Sequence, residues 1–270
     1  MTSRSIASKP ADSPSPAQLE EIACTTVRTA AEVIRGAYGR PRPVGRKSSP
    51  TDLVTQTDLQ VEDKVRELLL AATPDAGLIG EEGGRTDRGA RLQWLIDPLD
   101  GTINFVYGVP IFGVSIAAAI DGEVVAGAVV DVLRDELFSA HRGGGARCQG
   151  RPVTVSSCSL LSQALVVTGF SYRAEVRDLQ GEIAHRLLSR ARDLRCFGSA
   201  ALELCWVACA RVDGYFERDT QIWDRAAGAL IAEEAGAGIE LPCPENDGLT
   251  IAAAPGVFEG LRAAVQLDAA

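Results

Sequence analysis

The chain of 270 residues predicts an α+β first half, residues 16–151, packed against an α/β second half, residues 152–270. Three observations predict it. Two amphipathic helical patterns open the chain. Short apolar runs joined by tight turns follow. Past residue 152, strand-like and helix-like segments alternate.

Residues 1–15 are Ser/Pro-rich and read as a disordered arm without the apolar stretch of a secretory signal. Pro16 suits a first helical turn, and Ile22, Val27, Ala30, Val33 and Ile34 recur at helical spacing until Gly36 and Gly39. A second helix over DLQVEDKVRELLLAATPD carries Val61, Val65, Leu68 and Leu69 on one side. LQWLI, residues 92–96, is a compact apolar strand. IFGVSIAAAI and EVVAGAVVDV flank Asp121-Gly122, a strong hairpin signal. ELFSA continues the meander, and RGGGARCQG lacks the strand and Gly-Lys-Ser/Thr context of a phosphate loop, so it reads as a turn between edge strands. In the second half ALVVTG, LRCFG, DGYFE and TIAAAP read as strands. VRDLQGEIAHRLLSRA, AALELCWVACA, WDRAAGALIAEEAGA and GVFEGLRAAV read as helices.

Composition excludes several functions. Lys and Arg total 27 against 36 Asp and Glu, a net charge of −9, and no basic run supplies the face that nucleic acid requires. The longest apolar run, Ile111 to Ile120, is too short to span a bilayer. Seven cysteines, an odd number without a signal segment, predict reduced thiols in a cytoplasmic protein. Only His141 and His185 are histidines, and no Gly-x-Ser-x-Gly elbow occurs, which argues against a Ser/His/Asp hydrolase. Cys205 and Cys209, one turn apart with no histidine partner, read as buried apolar residues rather than a metal pair. Trp94 and Trp206 read as core.

Four acidic clusters each stand where an element ends. Asp58 precedes the second helix. Glu81-Glu82 follow Leu78-Ile79-Gly80. Asp97 and Asp100 follow the strand LQWLI. Asp224 follows Trp223 at a helix start. Strand ends that lead into helices point to a common rim where ligands collect. Each cluster alone has a plainer account, as a helix cap, a solvated turn charge or a simple turn. Their order and flanking residues together outweigh those accounts. Carboxylates gathered in a cleft repel one another and need compensation, and oxygen-only donors suit Mg²⁺, Mn²⁺ or Ca²⁺ rather than Zn²⁺. In IDPLDGTINF, Asp97 has two oxygens with which to bridge cations, Pro98 stiffens the turn, the Leu99 carbonyl is a neutral ligand, and Asp100 lies close enough for a second cation. Gly101 and Thr102 open a helical turn whose N–H groups suit a phosphate.

The ordered set of Lys47 with SSPTDLVTQTD, Gly80-Glu81-Glu82, IDPLDGTINF, GSAALELCWVACARVDGYFE and WDRAAGALIAEEAG resembles the inositol monophosphatase family of Mg-dependent, lithium-sensitive phosphatases. The resemblance covers residues 20 to 265. It implies a layered αβαβα sandwich, a homodimer, and two to three Mg²⁺ ions per site, replaceable by Mn²⁺ and inhibited by Li⁺. It implies that Glu81, Asp97 and the Leu99 carbonyl hold the first cation, that Asp97, Asp100 and Asp224 hold the second, and that a third leans on Glu81. It further implies that Thr102, oriented by Asp58, activates the attacking water with Glu81, and that the Gly101 and Thr102 amides bind phosphate. Asp100, Ala200 and Glu217 would face the hydroxyls of a polyol phosphate. Lys47, Glu82 and Trp223 would support the site, Trp223 by bracing the metal loop. Ile103 and Ser199 stand where relatives often carry Thr, with Ile103 expected to face away from the metals. No substrate-contact pattern carries over onto GFSYRAEVRD. The activity implied is inositol-1-monophosphatase. The alternatives are fructose-1,6-bisphosphatase, histidinol-phosphatase or adenosine 3',5'-bisphosphate phosphatase, or a non-catalytic regulatory protein on the same scaffold.

Overall fold

The computed structural model describes residues 14–40, 43–46, 53–86, 89–243, 246 and 248–266. The expected arm, over residues 1–13, and Lys47 lie outside them. Ser15, assigned to that arm by the sequence, instead caps helix α1 (Pro16–Ala37), where it exchanges hydrogen bonds with Gln18 at 2.8 and 3.3 Å. Strands β1 (Pro43–Arg46) and β2 (Leu53–Thr55) form a small antiparallel pair before α2 (Gln56–Ala72).

The first half continues through β3 (Gly77–Gly80), β4 (Gly84–Thr86), β5 (Leu92–Asp100), α3 (Thr102–Tyr107) and β6 (Gly113–Ile120). It closes with β7 (Glu123–Asp131), β8 (Glu136–His141), β9 (Ala146–Cys148) and β10 (Arg151–Pro152). Among the described residues, β3 to β10 make one eight-stranded sheet in the order β10-β9-β8-β7-β6-β5-β3-β4, antiparallel except where β3 meets β5. Asp121 and Gly122, both with positive φ, turn β6 into β7 as their sequence predicts.

The second half holds β11 (Leu165–Thr168), α4 (Ala174–Leu188), β12 (Asp193–Arg195), α5 (Ala200–Ala208), β13 (Gly214–Arg218), α6 (Ile222–Glu234), β14 (Gly238–Glu240), β15 (Leu249–Ala253) and α7 (Pro255–Val265). Its five-stranded sheet, order β12-β11-β13-β15-β14, is parallel around β11 and antiparallel beyond β13.

Strand alternation explains the layering. In β5, Trp94 and Ile96 join the core under α1 and α2, while Leu95 faces α5 and α6 on the other side. In the second sheet Val167, Tyr215 and Ala252 face that same α5–α6 layer, and Val166, Phe216 and Ile251 face α4 and α7. The order is therefore helices, sheet, helices, sheet, helices, the expected αβαβα sandwich. Both sheets are covered on both faces, which is why their strands read as continuous apolar runs. No helix of the described residues is long and apolar enough to cross a membrane.

Several strands differ from their expected bounds: the strand expected over LRCFG spans only Asp193–Arg195, that over IFGVSIAAAI only Gly113–Ile120, and the strand carrying the two acids runs on. LQWLI extends through Asp100, and its pairing with β6 shifts between Asp97 and Asp100. Pro98 has no N–H for the ladder, so the strand is irregular where its two acids stand.

Candidate active site

A cavity of about 1020 Å³ lies where β3, β5 and α3 of the first half meet β13 and the starts of α4, α5 and α6 of the second. Glu81, Asp97, Leu99, Asp100, Gly101, Thr102, Ala200, Glu217, Trp223 and Asp224 all line it, so ten of the residues singled out in the sequence come together. Ile103, expected to face away from the metals, also lines this cavity. Asp58 stands behind the lining as a buried support, and Glu82 is not among the lining residues.

Asp58 is the third residue of α2, not the residue before the helix. Its Oδ2 accepts from the Thr55 amide at 2.9 Å and from the Thr55 hydroxyl, which closes the helix cap. Its Oδ1 lies 2.9 Å from Thr102 Oγ1, which also lies 3.0 Å from the Leu99 carbonyl. Both neighbours are acceptors, so the single hydroxyl proton of Thr102 is spent on them. What Thr102 retains is acceptor capacity for a third group.

The IDPLDGT segment is held from several sides. The Leu99 amide donates to Asp97 Oδ1 at 3.1 Å. Asp100 Oδ2 accepts from Ser199 Oγ at 2.5 Å and from the Ala201 amide at 2.8 Å, which ties β5 to the start of α5. Gly101 has φ +90°, and a Cβ there would stand 3.1 Å from the carbonyl oxygens of Gly198 and Ile111, so both conformation and space call for glycine. Asn104 donates to the Ile111 and Phe197 carbonyls at 2.8 and 2.6 Å and locks α3 against the loop before α5. At the other edge, the Gln221 amide donates to Asp224 Oδ2 at 2.7 Å, and Ser115 Oγ donates to the Trp223 carbonyl at 3.3 Å, fixing the start of α6 on β6.

The cavity is strained electrostatically. Burial pushes Asp100 up to about 6 and Glu217 up to about 7, the latter against a 2.9 Å hydrogen bond from Tyr215. Burial, followed by repulsion from Glu81, raises Asp224 well above the usual carboxylate range. Asp97, Asp100, Glu217 and Asp224 are each anchored by local donors, and among the described residues no three acids close into a tight metal-ligand cluster.

Two buried acids were missed by the sequence reading. Glu62 accepts from the amides of Glu82 and Gly83 at 2.7 and 2.8 Å and from Arg66 Nε at 2.7 Å, so it pins the turn that carries Glu81. It follows Asp58 by four residues on the buried face of α2, which is a legible signal. Glu203 accepts from the Phe197 and Gly198 amides at 2.7 and 3.1 Å, while its Oε2 is buried without a partner. A lone acid inside ALELCWVA marks it in the sequence. Residues 169–173 and Arg177, within the segment where no contact pattern carried over, also line the cavity.

A five-layer sandwich with an acid-floored cavity between its halves defines the inositol monophosphatase/fructose-bisphosphatase class of folds. Comparison with known proteins agrees. The model of the inositol monophosphatase family matches residues 15–266. The inositol-1-monophosphatase SuhB of Mycobacterium tuberculosis is 42% identical over 273 residues, 93% of this chain and 94% of its own. The protein named Nus factor SuhB of Pasteurella multocida is 39% identical, over 91% of this chain and 94% of its own. The crystal structure of the extragenic suppressor protein suhB from Bartonella henselae superposes with a TM-score of 0.84 at 30% identity, covering 91% of this chain and 97% of that one. The chain belongs to the inositol monophosphatase family.

Proposed function

We propose that the chain hydrolyses the phosphate monoester of a small polyol, with inositol 1-phosphate as the leading candidate, by attack of a water held against Thr102. The observation that carries this reading is the convergence of Glu81, Asp97, the Leu99 carbonyl, Asp100, Thr102 and Asp224 on one cavity. The relative named inositol-1-monophosphatase supports the same substrate class.

The donor set fits hard divalent cations: every candidate ligand is oxygen. The forces that raise Asp224 are burial first, then the neighbouring acids Glu81, Asp100 and Glu217, opposed by the Gln221 amide and the Arg225 guanidinium. Glu81, Asp97 and the Leu99 carbonyl would hold one Mg²⁺, and Asp97, Asp100 and Asp224 a second. Bound there, they would supply a water of lowered pKa and counter-charge for the leaving alkoxide. Thr102 accepts a hydrogen bond from the attacking water, because Asp58 and the Leu99 carbonyl already take its proton. Glu81 stands to receive the water's proton, and Glu217 offers its carboxyl to the polyol hydroxyls. The Gly101 and Thr102 amides face the phosphate oxygens. Monoester hydrolysis is among the slowest uncatalysed reactions, so electrostatic stabilisation must supply most of the barrier reduction.

Phosphate release from inositol 1-phosphate, fructose 1,6-bisphosphate and histidinol phosphate, with and without Mg²⁺ and Li⁺, tests the reading. Mg²⁺-dependent release that is fastest from inositol 1-phosphate is expected; no release from any of the three overturns it. A regulatory role, which the name of the Pasteurella relative raises, leaves turnover dispensable. It predicts that an inactive Asp97→Asn chain keeps full function in a cell.

A further inference from the structure

The cavity is larger than the monophosphate of a small polyol requires. Ligand pockets typically run from roughly 300 to 1,000 Å³, and this one, at about 1020 Å³, sits at the top of that range. Its floor is acidic, so a second negative charge on a substrate would be repelled unless the wall supplied a cation. Three arginines line the wall: Arg173, Arg177 and Arg218. Arg218 is buried and directs its guanidinium to the Asn246 and Val265 carbonyls at 3.2 and 3.5 Å.

The other two are differently disposed. Arg173 is the N-cap of α4, and Arg177 follows one turn later, on the same side of the helix. Both are exposed and line the cavity from α4, on the side of the five-stranded sheet, whereas Asp97 and Asp100 line it from β5. Arg173 has one loose ion pair, 3.3 Å to Asp219, and that carboxylate is also held by Ser171 Oγ at 2.6 Å. Arg177 has no ion-pair partner among the described residues. In a chain of net charge −9, two guanidinium forks directed at a cavity and left largely unpaired are poised for an anion from outside. Phe170 and Tyr172, 37% and 42% exposed, flank them and give the same wall apolar surface for a ring.

We propose that Arg173 and Arg177 form a second anion subsite, which lets the site accept a polyol or sugar carrying a second phosphoryl group beside the monophosphate. This rests on the phosphatase reading above, and names the substrate feature that the acidic floor alone would reject.

The test compares inositol 1,4-bisphosphate with inositol 1-phosphate in the wild-type chain and in the double variant Arg173→Gln/Arg177→Gln. Both side chains are exposed, and melting temperature confirms that the fold is retained. Loss of two charge-assisted contacts is expected to raise KM for the bisphosphate at least ~10-fold more than KM for the monophosphate. Arg177→Lys, which keeps the charge but loses the fork, is expected to fall between. Equal shifts for both substrates, or no shift for either, overturn the subsite. Should the wild-type chain hydrolyse neither compound, nor fructose 1,6-bisphosphate or histidinol phosphate, the phosphatase reading fails on its own. Calorimetric binding of inositol 1,4-bisphosphate in EDTA then decides: binding lost in the double variant upholds the subsite, and binding absent or unchanged rejects it.

Discussion

Replacing Glu62 with alanine should damage both stability and turnover, although Glu62 does not line the cavity. The carboxylate is 2% exposed and serves three donors: the Glu82 amide, the Gly83 amide and Arg66 Nε. Truncation leaves two amides without their acceptor and a mostly buried guanidinium without its charge partner. An unsatisfied buried donor costs ~1–3 kcal/mol, and breaking a buried ion pair ~3–5 kcal/mol. These overlap, so roughly 3–5 kcal/mol is the expected total. For a chain of this size each kcal/mol moves the melting temperature by roughly 2–4 °C. A loss of about 6–20 °C by calorimetry follows from that product. Turnover should fall as well, because the turn that carries Glu81 loses its anchor. Gly80→Ala provides the internal control: a Cβ there would overlap Glu62 Oε1 and evict the same carboxylate. Its effect should resemble that of Glu62→Ala, and the double variant should be far from additive. A Glu62→Ala chain that melts within ~2 °C of wild type with unaltered turnover would refute this reasoning, as would strict additivity with Gly80→Ala.

Asp97→Asn should lower kcat by at least ~10², the scale of removing one electrostatic stabiliser; near-normal phosphate release from a folded variant would remove Asp97 from the chemistry. Glu217→Gln should raise KM for inositol 1-phosphate more than for an aryl phosphate, and equal effects would make Glu217 a structural charge. In EDTA, stability should fall as pH rises. Asp100 and Glu217 titrate at about 6 and about 7 in the fold, whereas an unfolded carboxyl releases its proton near ~4. Between those values the folded chain binds the more protons, so raising pH favours the unfolded state. The melting temperature is expected to be higher at pH 5 than at pH 8, with Mg²⁺ flattening the slope; a rise across that window contradicts the shifts. Gly101→Ala should cost ~1–3 kcal/mol in urea unfolding, from its positive φ and the two carbonyls a methyl would crowd. An unchanged urea midpoint would show that the loop relaxes freely.

Much of the fold was legible because both periodicities were clean. Val61, Val65 and Leu69 mark the inner face of α2, and Asp121-Gly122 marks a hairpin. The acids of the cavity were legible too, since Asp97, Asp100 and Asp224 stand where apolar runs stop. What the sequence hid depends on tertiary pairing. LQWLI stops as a pattern at Ile96, yet the strand continues because β6 goes on pairing with it beyond the proline. Glu203 looked like one polar residue in an apolar helix, and only the fold brings the Phe197 and Gly198 amides to it. Arg173 and Arg177 carried no signal as a pair, because their meaning comes from the cavity they line rather than from their spacing.

The helix starts explain how so many acids can share one cavity. Asp58 and Asp224 are each the third residue of their helix, bonded to the capping residue's amide. Asp100 receives the Ala201 amide at the first turn of α5. Three helices, α2, α5 and α6, therefore aim their N-termini at these carboxylates, and the partial positive charge of each lowers the cost of a buried anion. The compensation is incomplete: Asp100 and Asp224 still hold their protons more tightly than a free carboxyl. Backbone dipoles fix where each carboxylate stands but leave excess negative charge in the cavity. That residue of charge is what a pair of divalent cations would neutralise under the proposed reading, and it is also why any second anion on the substrate would have to be met from the arginine wall.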